Sequence, residues 1–189
     1  MTGTVKLVVI GGSAGSLQVV LKIFEYVREN YTVPVLLVLH RNTDFPSLLG
    51  ELLSFKTRFI TREVEEKDKI EPGCIYICPP DYHVLVEKDQ SLSLDDSEKV
   101  NFSRPSIDVV FRSASDVFKE KLVCILLSGA NADGADGLLY AKKNGSITVI
   151  QDPQEAQVPF MPKEAMKRLK PDHVLNTNEI TGFLNSLIV

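Results

Sequence analysis

The chain has 189 residues, 44% of them apolar, with 21 basic and 25 acidic side chains and a net charge of −4. That length supports one sizeable core rather than two, and the lack of a basic block excludes the electrostatic footprint of a nucleic-acid binder. The N-terminal apolar run is only a few residues long, too short for a secretory signal or a membrane span, so the expectation is one cytoplasmic domain over residues 1–189.

Short β-branched runs alternate with longer helical patterns, which predicts an α/β fold: a doubly wound, mainly parallel sheet with helices on both faces. Val5 to Ile10 reads as a strand buried on both sides, and Leu17, Val20, Leu21, Phe24 and Val27 recur at helical spacing after it. Val35 to Leu39 is a second buried strand, and Phe45 to Phe55 has a helical pattern with Pro46 near its start. The stretch GCIYICPPDYHVLVEKDQSLSLDDS predicts a strand, a Pro-Pro turn and a small antiparallel hairpin attached to the main sheet, followed by a polar loop from Asp95 to Ser103. Beyond it come a helix from about Ser106 to Phe118, a strand at Leu122 to Leu127, a helix from about Gly134 to Lys143 and a strand at Ile147 to Ile150. The chain closes with helices near Lys163 to Leu169 and Asn178 to Ile188, with a short strand at His173 to Leu175 between them. Cys74, Cys78 and Cys124 are odd in number and lack paired CxxC spacing, so they read as reduced, buried thiols rather than a metal site or a disulfide framework.

In open parallel sheets, the loops leaving the carboxyl ends of strands meet in one crevice, where ligands bind. The first strand delivers GGSAG with Ser13, the second delivers His40, and the strand ending at Leu127 delivers SGANADGADG with Asp133. The strand ending at Ile150 delivers Asp152, a second choice of carboxylate. A serine nucleophile needs a base within hydrogen-bond reach and a carboxylate to orient that base, and GGSAG satisfies the G-x-S-x-G pattern that exposes such a serine.

Each residue also has a structural reading. Ser13 could cap a helix or belong to a backbone phosphate cradle, although GGSAGS departs from the dinucleotide fingerprint and no P-loop lysine follows. His40 could be a structural strand-end residue, and Asp133 could cap the helix beginning at Gly134. His173 precedes its strand and is expected at the opposite edge of the sheet, His83 opens a hairpin strand, and both are expected to be structural or surface residues.

With Ser13, His40 and SGANADGADG in that order, the sequence resembles the catalytic domain of the bacterial chemotaxis receptor methylesterases, the CheB type. VVIGGSAGS, GCIYICPPDYHVLV, SRPSIDVVFRSAS, LLSGANADGADGL and QDPQEAQVPFMPKEAM carry the resemblance over nearly the whole chain. It implies a serine hydrolase that removes methyl groups from γ-glutamyl methyl esters on chemoreceptors or receptor-like helical proteins, can also deamidate glutamines, and uses no metal or organic cofactor. Carried over by position, Ser13 is the nucleophile, His40 the general base and Asp133 its orienting carboxylate, with the Ala130 amide as an oxyanion-hole candidate. Phe45, Phe160 and Met161 lie where they could flank the site.

The chain departs from the family pattern at several positions. Ala14 replaces a usual threonine, Ser16 a glycine, Arg41 and Asn42 a Met-Pro pair, and Ala130 and Asn131 a Met-Gly pair. These changes motivate a rival reading, a non-catalytic binding module on the same fold. Only four residues precede the first predicted strand, so the phosphoryl-receiver domain usual in the family is not expected in this chain, which reads as free-standing or as cut from a longer protein.

Overall fold

The near-continuous apolar runs form the central strands because both of their faces are covered. The computed structural model describes residues 4–40 and 49–187. In chain order the elements are β1 (Leu7–Gly12), α1 (Ser16–Tyr26), β2 (Val35–Leu39), α2 (Leu49–Lys56), β3 (Ile60–Glu63), β4 (Cys74–Ile77), β5 (His83–Val86) and β6 (Leu92–Asp95). They continue with α3 (Ile107–Phe118), β7 (Leu122–Leu126), α4 (Ala135–Lys143), β8 (Ile147–Gln151), α5 (Phe160–Arg168), β9 (His173–Leu175) and α6 (Thr177–Ser186).

Seven strands form one parallel sheet in the order β3-β4-β2-β1-β7-β8-β9. Alternate side chains of β1 divide between the faces: Leu7 and Val9 pack with residues of α3, α4 and α5, whereas Val8 and Ile10 pack with residues of α1, α2 and α6. The doubly wound expectation holds. The chain works outward from β1 through β2 on one side, then returns to β7 on the other, which puts the topological switch between β1 and β7.

Three features differ from the expectation. β1 runs two residues further, so both Gly11 and Gly12 lie within the strand and the turn starts at Ser13. β3 was not expected: it is a four-residue edge strand of sequence ITRE whose residues are all partly or fully exposed, so it carries no apolar run. The hairpin β5–β6 forms its own two-stranded sheet instead of joining the large one. It is fastened to α3 by the Ser113 hydroxyl, which accepts from the Val86 amide at 3.1 Å. The predicted helix from Phe45 overlaps α2 only from Leu49 onward, and its earlier residues lie outside the described residues. Cys74, Cys78 and Cys124 are all buried and unoxidised.

Candidate active site

Strand register brings the candidate residues together. Gly12 pairs with Leu39, so Ser13 and His40 are the first residues beyond two adjacent strand ends, and the His40 amide donates to the Gly12 carbonyl at 3.1 Å. On the other side of β1, the Ser13 amide donates to the Ser128 carbonyl at 2.9 Å, joining the turn to the loop after β7. Ser128 closes the junction: its hydroxyl donates to the Ala14 carbonyl at 2.7 Å, and its amide donates to Gln151 Oε1 at 2.9 Å.

Two glycines are required by close packing. A Cβ on Gly11 would overlap Cγ2 of Ile107, the first residue of α3. One on Gly129 would stand 2.5 Å from Met161 Cε and 3.1 Å from Ser13 Cβ. In the turn itself the Ser13 and Ser16 amides both donate to protein carbonyls, those of Ser128 and Ser13, which argues against the phosphate-cradle reading. Ser13 is not a helix cap either, since α1 begins after Gly15 without a side-chain cap. Instead the Ser13 carbonyl accepts from the Ser16 amide at 3.0 Å and from its hydroxyl.

His40 Nε2 lies 2.8 Å from Asp133 Oδ2. Asp133 is completely buried. The same Oδ2 accepts from the Ile107 amide at 2.7 Å, while Oδ1 accepts from the Ser106 hydroxyl at 2.8 Å and the Asp108 amide at 3.2 Å. Asp133 therefore caps α3, not the helix that follows it in sequence; α4 starts after Gly134 with no side-chain cap. Burial acts to raise the Asp133 pKa, but hydrogen bonds from His40, Ile107 and Ser106 outweigh it and hold the carboxyl below its ordinary value. The positive end of α3 favours the same charged state.

Sequence reasoning missed the second layer around this pair. The Asn101 carboxamide donates to Asp108 Oδ2 at 2.8 Å and to Asp133 Oδ1 at 3.4 Å. Ser103 Oγ stands 3.5 Å from His40 Nδ1 and accepts from Asn131 Nδ2 at 3.3 Å. Asp108, also buried, accepts from the Gly137 amide; its pKa is pushed up to about 6, chiefly by burial, with the nearby Asp133 and Asp136 charges adding to the rise. Ser106 preceding an apolar helical pattern is a capping signal in the sequence, but its hydroxyl serves Asp133 and so escapes a local reading.

Among the described residues Asp152 and His173 make no hydrogen bond to this cluster, whereas His83 reaches it through Ser106. Asp152 makes a local turn, its carboxylate accepting from the Gln154 amide at 2.9 Å. His83 is buried beneath the site: Nδ1 accepts from the Ser106 amide at 3.1 Å and Nε2 meets the Glu98 carbonyl at 3.0 Å. His173 is exposed at the start of β9 with its ring centroid 5.1 Å from that of Phe183. The exposed Ala130 has an amide that donates to no group among the described residues. Met161 is buried and Phe160 is 49% exposed, while Arg41, Asn42 and Phe45 lie outside the described residues.

Comparison with known proteins gives one consistent result. The chain is 39% identical over 173 residues to a Leptospira interrogans protein provisionally named protein-glutamate methylesterase/protein-glutamine glutaminase, covering 92% of this chain and 90% of that one. A Geobacter metallireducens protein-glutamate methylesterase/protein-glutamine glutaminase is 32% identical over 183 residues, covering 96% of this chain and 53% of the longer relative. The crystal structure of the Thermotoga maritima CheB methylesterase catalytic domain superimposes with a TM-score of 0.91 at 28% identity, covering 98% of this chain and all of that one. The family model described as CheB methylesterase matches residues 8–184, and the chain belongs to the CheB methylesterase family.

Proposed function

We propose that this chain is a protein-glutamate methylesterase in which Ser13, His40 and Asp133 act as nucleophile, general base and orienting carboxylate. The observation that carries the reading is the 2.8 Å contact between His40 and a buried, hydrogen-bonded Asp133, on the crevice edge that Ser13 shares. Asp133 Oδ2 accepts a hydrogen bond from Nε2–H of His40, which fixes the tautomer and leaves the Nδ1 lone pair as the base.

In the first step Ser13 Oγ attacks the ester carbonyl carbon while its proton passes to His40 Nδ1. The negative charge that builds on the carbonyl oxygen is held by backbone donors, the Ala130 amide among them. Collapse breaks the bond to the methoxy oxygen, His40 returns its proton to that oxygen, and methanol leaves. A water then attacks the glutamyl-serine ester, losing its proton to His40, and in the second collapse His40 gives that proton to Ser13 Oγ as the acyl bond breaks, which frees the glutamyl carboxyl group and restores the serine hydroxyl. With a glutamine amide the same sequence releases ammonia. Asp133 stays ionised throughout and stabilises the imidazolium that forms twice in each cycle.

The substrate on this reading is a methylated chemoreceptor or receptor-like helical protein, and the enzyme works in the cytoplasm, where such receptors present their signalling helices. Among the described residues no helix is long and apolar enough to cross a membrane. The 189 residues act as a single catalytic module.

One observation favours the rival reading of a non-catalytic module. The Ser13 hydroxyl makes no hydrogen bond among the described residues, and the hydroxyl facing His40 Nδ1 is that of Ser103. Catalytic hydrogen bonds in empty sites are commonly long and tighten only with substrate, so esterase activity remains the better reading. Incubation with a serine-directed phosphonofluoridate and mapping of the adduct by mass spectrometry tests it. The expected result is an adduct on Ser13 that is lost in S13A and in H40A. No adduct on the folded wild-type protein would move the assignment to the binding module.

A further inference from the structure

The turn that supplies Asn101 and Ser103 carries between them a side chain with no role inside the molecule. Phe102 is 98% exposed, the highest value among the exposed large hydrophobic side chains of the described residues. Its backbone is also costly. Phe102 has φ of 62° and Asn101 has φ of 51°, a left-handed pair closed by mutual Val100–Ser103 backbone hydrogen bonds of 3.2 and 2.9 Å. Asparagine tolerates that region, but phenylalanine rarely occupies it. Neither stability nor solubility explains an aromatic ring at this point.

The turn is held firmly. Asn101 is tied to Asp108 and Asp133, Ser103 faces His40 and Asn131, and the Arg104 guanidinium donates to the carbonyls of Asp96 at 2.6 Å and Ser97 at 2.7 Å. The ring is therefore presented from a braced base, one residue away from a hydroxyl that faces His40. Aromatic side chains on preorganised loops are effective anchors for macromolecular partners, since little conformational entropy remains to be lost on binding.

We propose that Phe102 is a specificity-determining contact for the protein substrate, packing against the apolar surface of the helical protein whose side-chain ester enters the crevice. This rests on the methylesterase reading. On this proposal a small ester, confined to the crevice at Ser13, is indifferent to the ring, whereas a helix that presents a glutamyl ester is long enough to cover both. The class of partner follows from size and chemistry: a rigid, partly apolar protein surface flanking the scissile group.

The test compares kcat/KM for methanol release from a methyl-esterified chemoreceptor cytoplasmic fragment with kcat/KM for a small soluble ester, in wild type and in F102N. Asparagine keeps a side chain suited to the positive φ, so the turn is preserved. The expected result is a fall of roughly tenfold in the ratio of protein to small-ester specificity. F55N serves as the control, because Phe55 is also exposed, at 88%, but lies near the end of α2 at the opposite edge of the sheet; it leaves both reactions unchanged. An unchanged ratio in F102N, with wild type active on the receptor fragment, overturns the proposal and leaves the methylesterase reading intact. Absence of Ser13-dependent methanol release in wild type overturns the methylesterase reading, and the proposal with it.

Discussion

Asp133 accepts a hydrogen bond from the Ile107 amide at 2.7 Å, so the carboxylate that faces His40 is also the cap of α3. On the proposed mechanism stability and chemistry meet in this side chain, and two substitutions separate them. D133A strands the Ile107 and Asp108 amides and the Ser106 hydroxyl in a buried site, and is expected to destabilise the protein by about 3 kcal/mol or more. D133N keeps an acceptor for the helix end but presents the wrong group to His40. It is expected to cost less stability while lowering kcat by about three to four orders of magnitude. Thermal unfolding and ester kinetics on both variants check the separation.

Asn101 bridges Asp108 and Asp133, which on the proposed mechanism gives it a positioning role. N101G retains the backbone freedom that its φ of 51° requires and removes only the carboxamide. The expected outcome is a drop of roughly tenfold in kcat with KM for a small ester unchanged, the pattern of an interaction that supports the transition state alone. An increase in KM at constant kcat would refute this role.

The two carboxylates give stability opposite pH dependences. The folded-state pKa of Asp108 is raised from 3.8 to about 6, so the folded state holds that proton more tightly, and the associated stability is full below pH 3.8 and lost as pH rises through 6. A shift of about two units corresponds to about 3 kcal/mol. Asp133 is depressed from 3.8, and its contribution is present above that value and lost as pH falls through the lower folded-state pKa. Urea unfolding at pH 4.5 and pH 7.5 is expected to show wild type losing stability, relative to D108N, over that interval. Parallel behaviour of the two proteins would remove Asp108 as the cause.

Gly11 holds β1 against the first residue of α3. G11A drives a methyl group into Ile107, and the expected cost is about 1 to 3 kcal/mol. Because Ile107 also donates to Asp133, activity should fall further than the loss of folded protein accounts for. Activity per folded molecule, with the folded fraction measured by circular dichroism, distinguishes the two effects.

The parts of the fold that rest on local pattern were legible in the sequence. The fully buried runs at Leu7–Gly12, Val35–Leu39 and Leu122–Leu126 carry their environment in their composition, and strand ends in a parallel sheet converge whatever the loops contain. β3 was not legible, because an edge strand of sequence ITRE gains its place from pairing with β4 and not from an apolar face. The companions of His40 and Asp133 were hidden for a similar reason. Asn101 and Ser103 lie in a polar loop whose sequence signals only a turn, and their partners are up to 63 residues away along the chain. The partner of Asp133 as a cap was also beyond local reading, since a capping residue ordinarily serves the helix that follows it, and here it serves one 26 residues earlier.

The dual duty of Asp133 bears on how activity can disappear from such proteins over evolutionary time. On the proposed mechanism, a lineage released from selection for ester hydrolysis can discard Ser13 or His40 and keep its architecture, but it can replace Asp133 only with a side chain that still accepts from the start of α3. An acceptor at position 133 is thus a requirement of the fold before it is one of the chemistry. On that reading, its presence in a related chain says little about turnover, and the serine and histidine at the neighbouring strand ends are the positions to inspect for a retired enzyme.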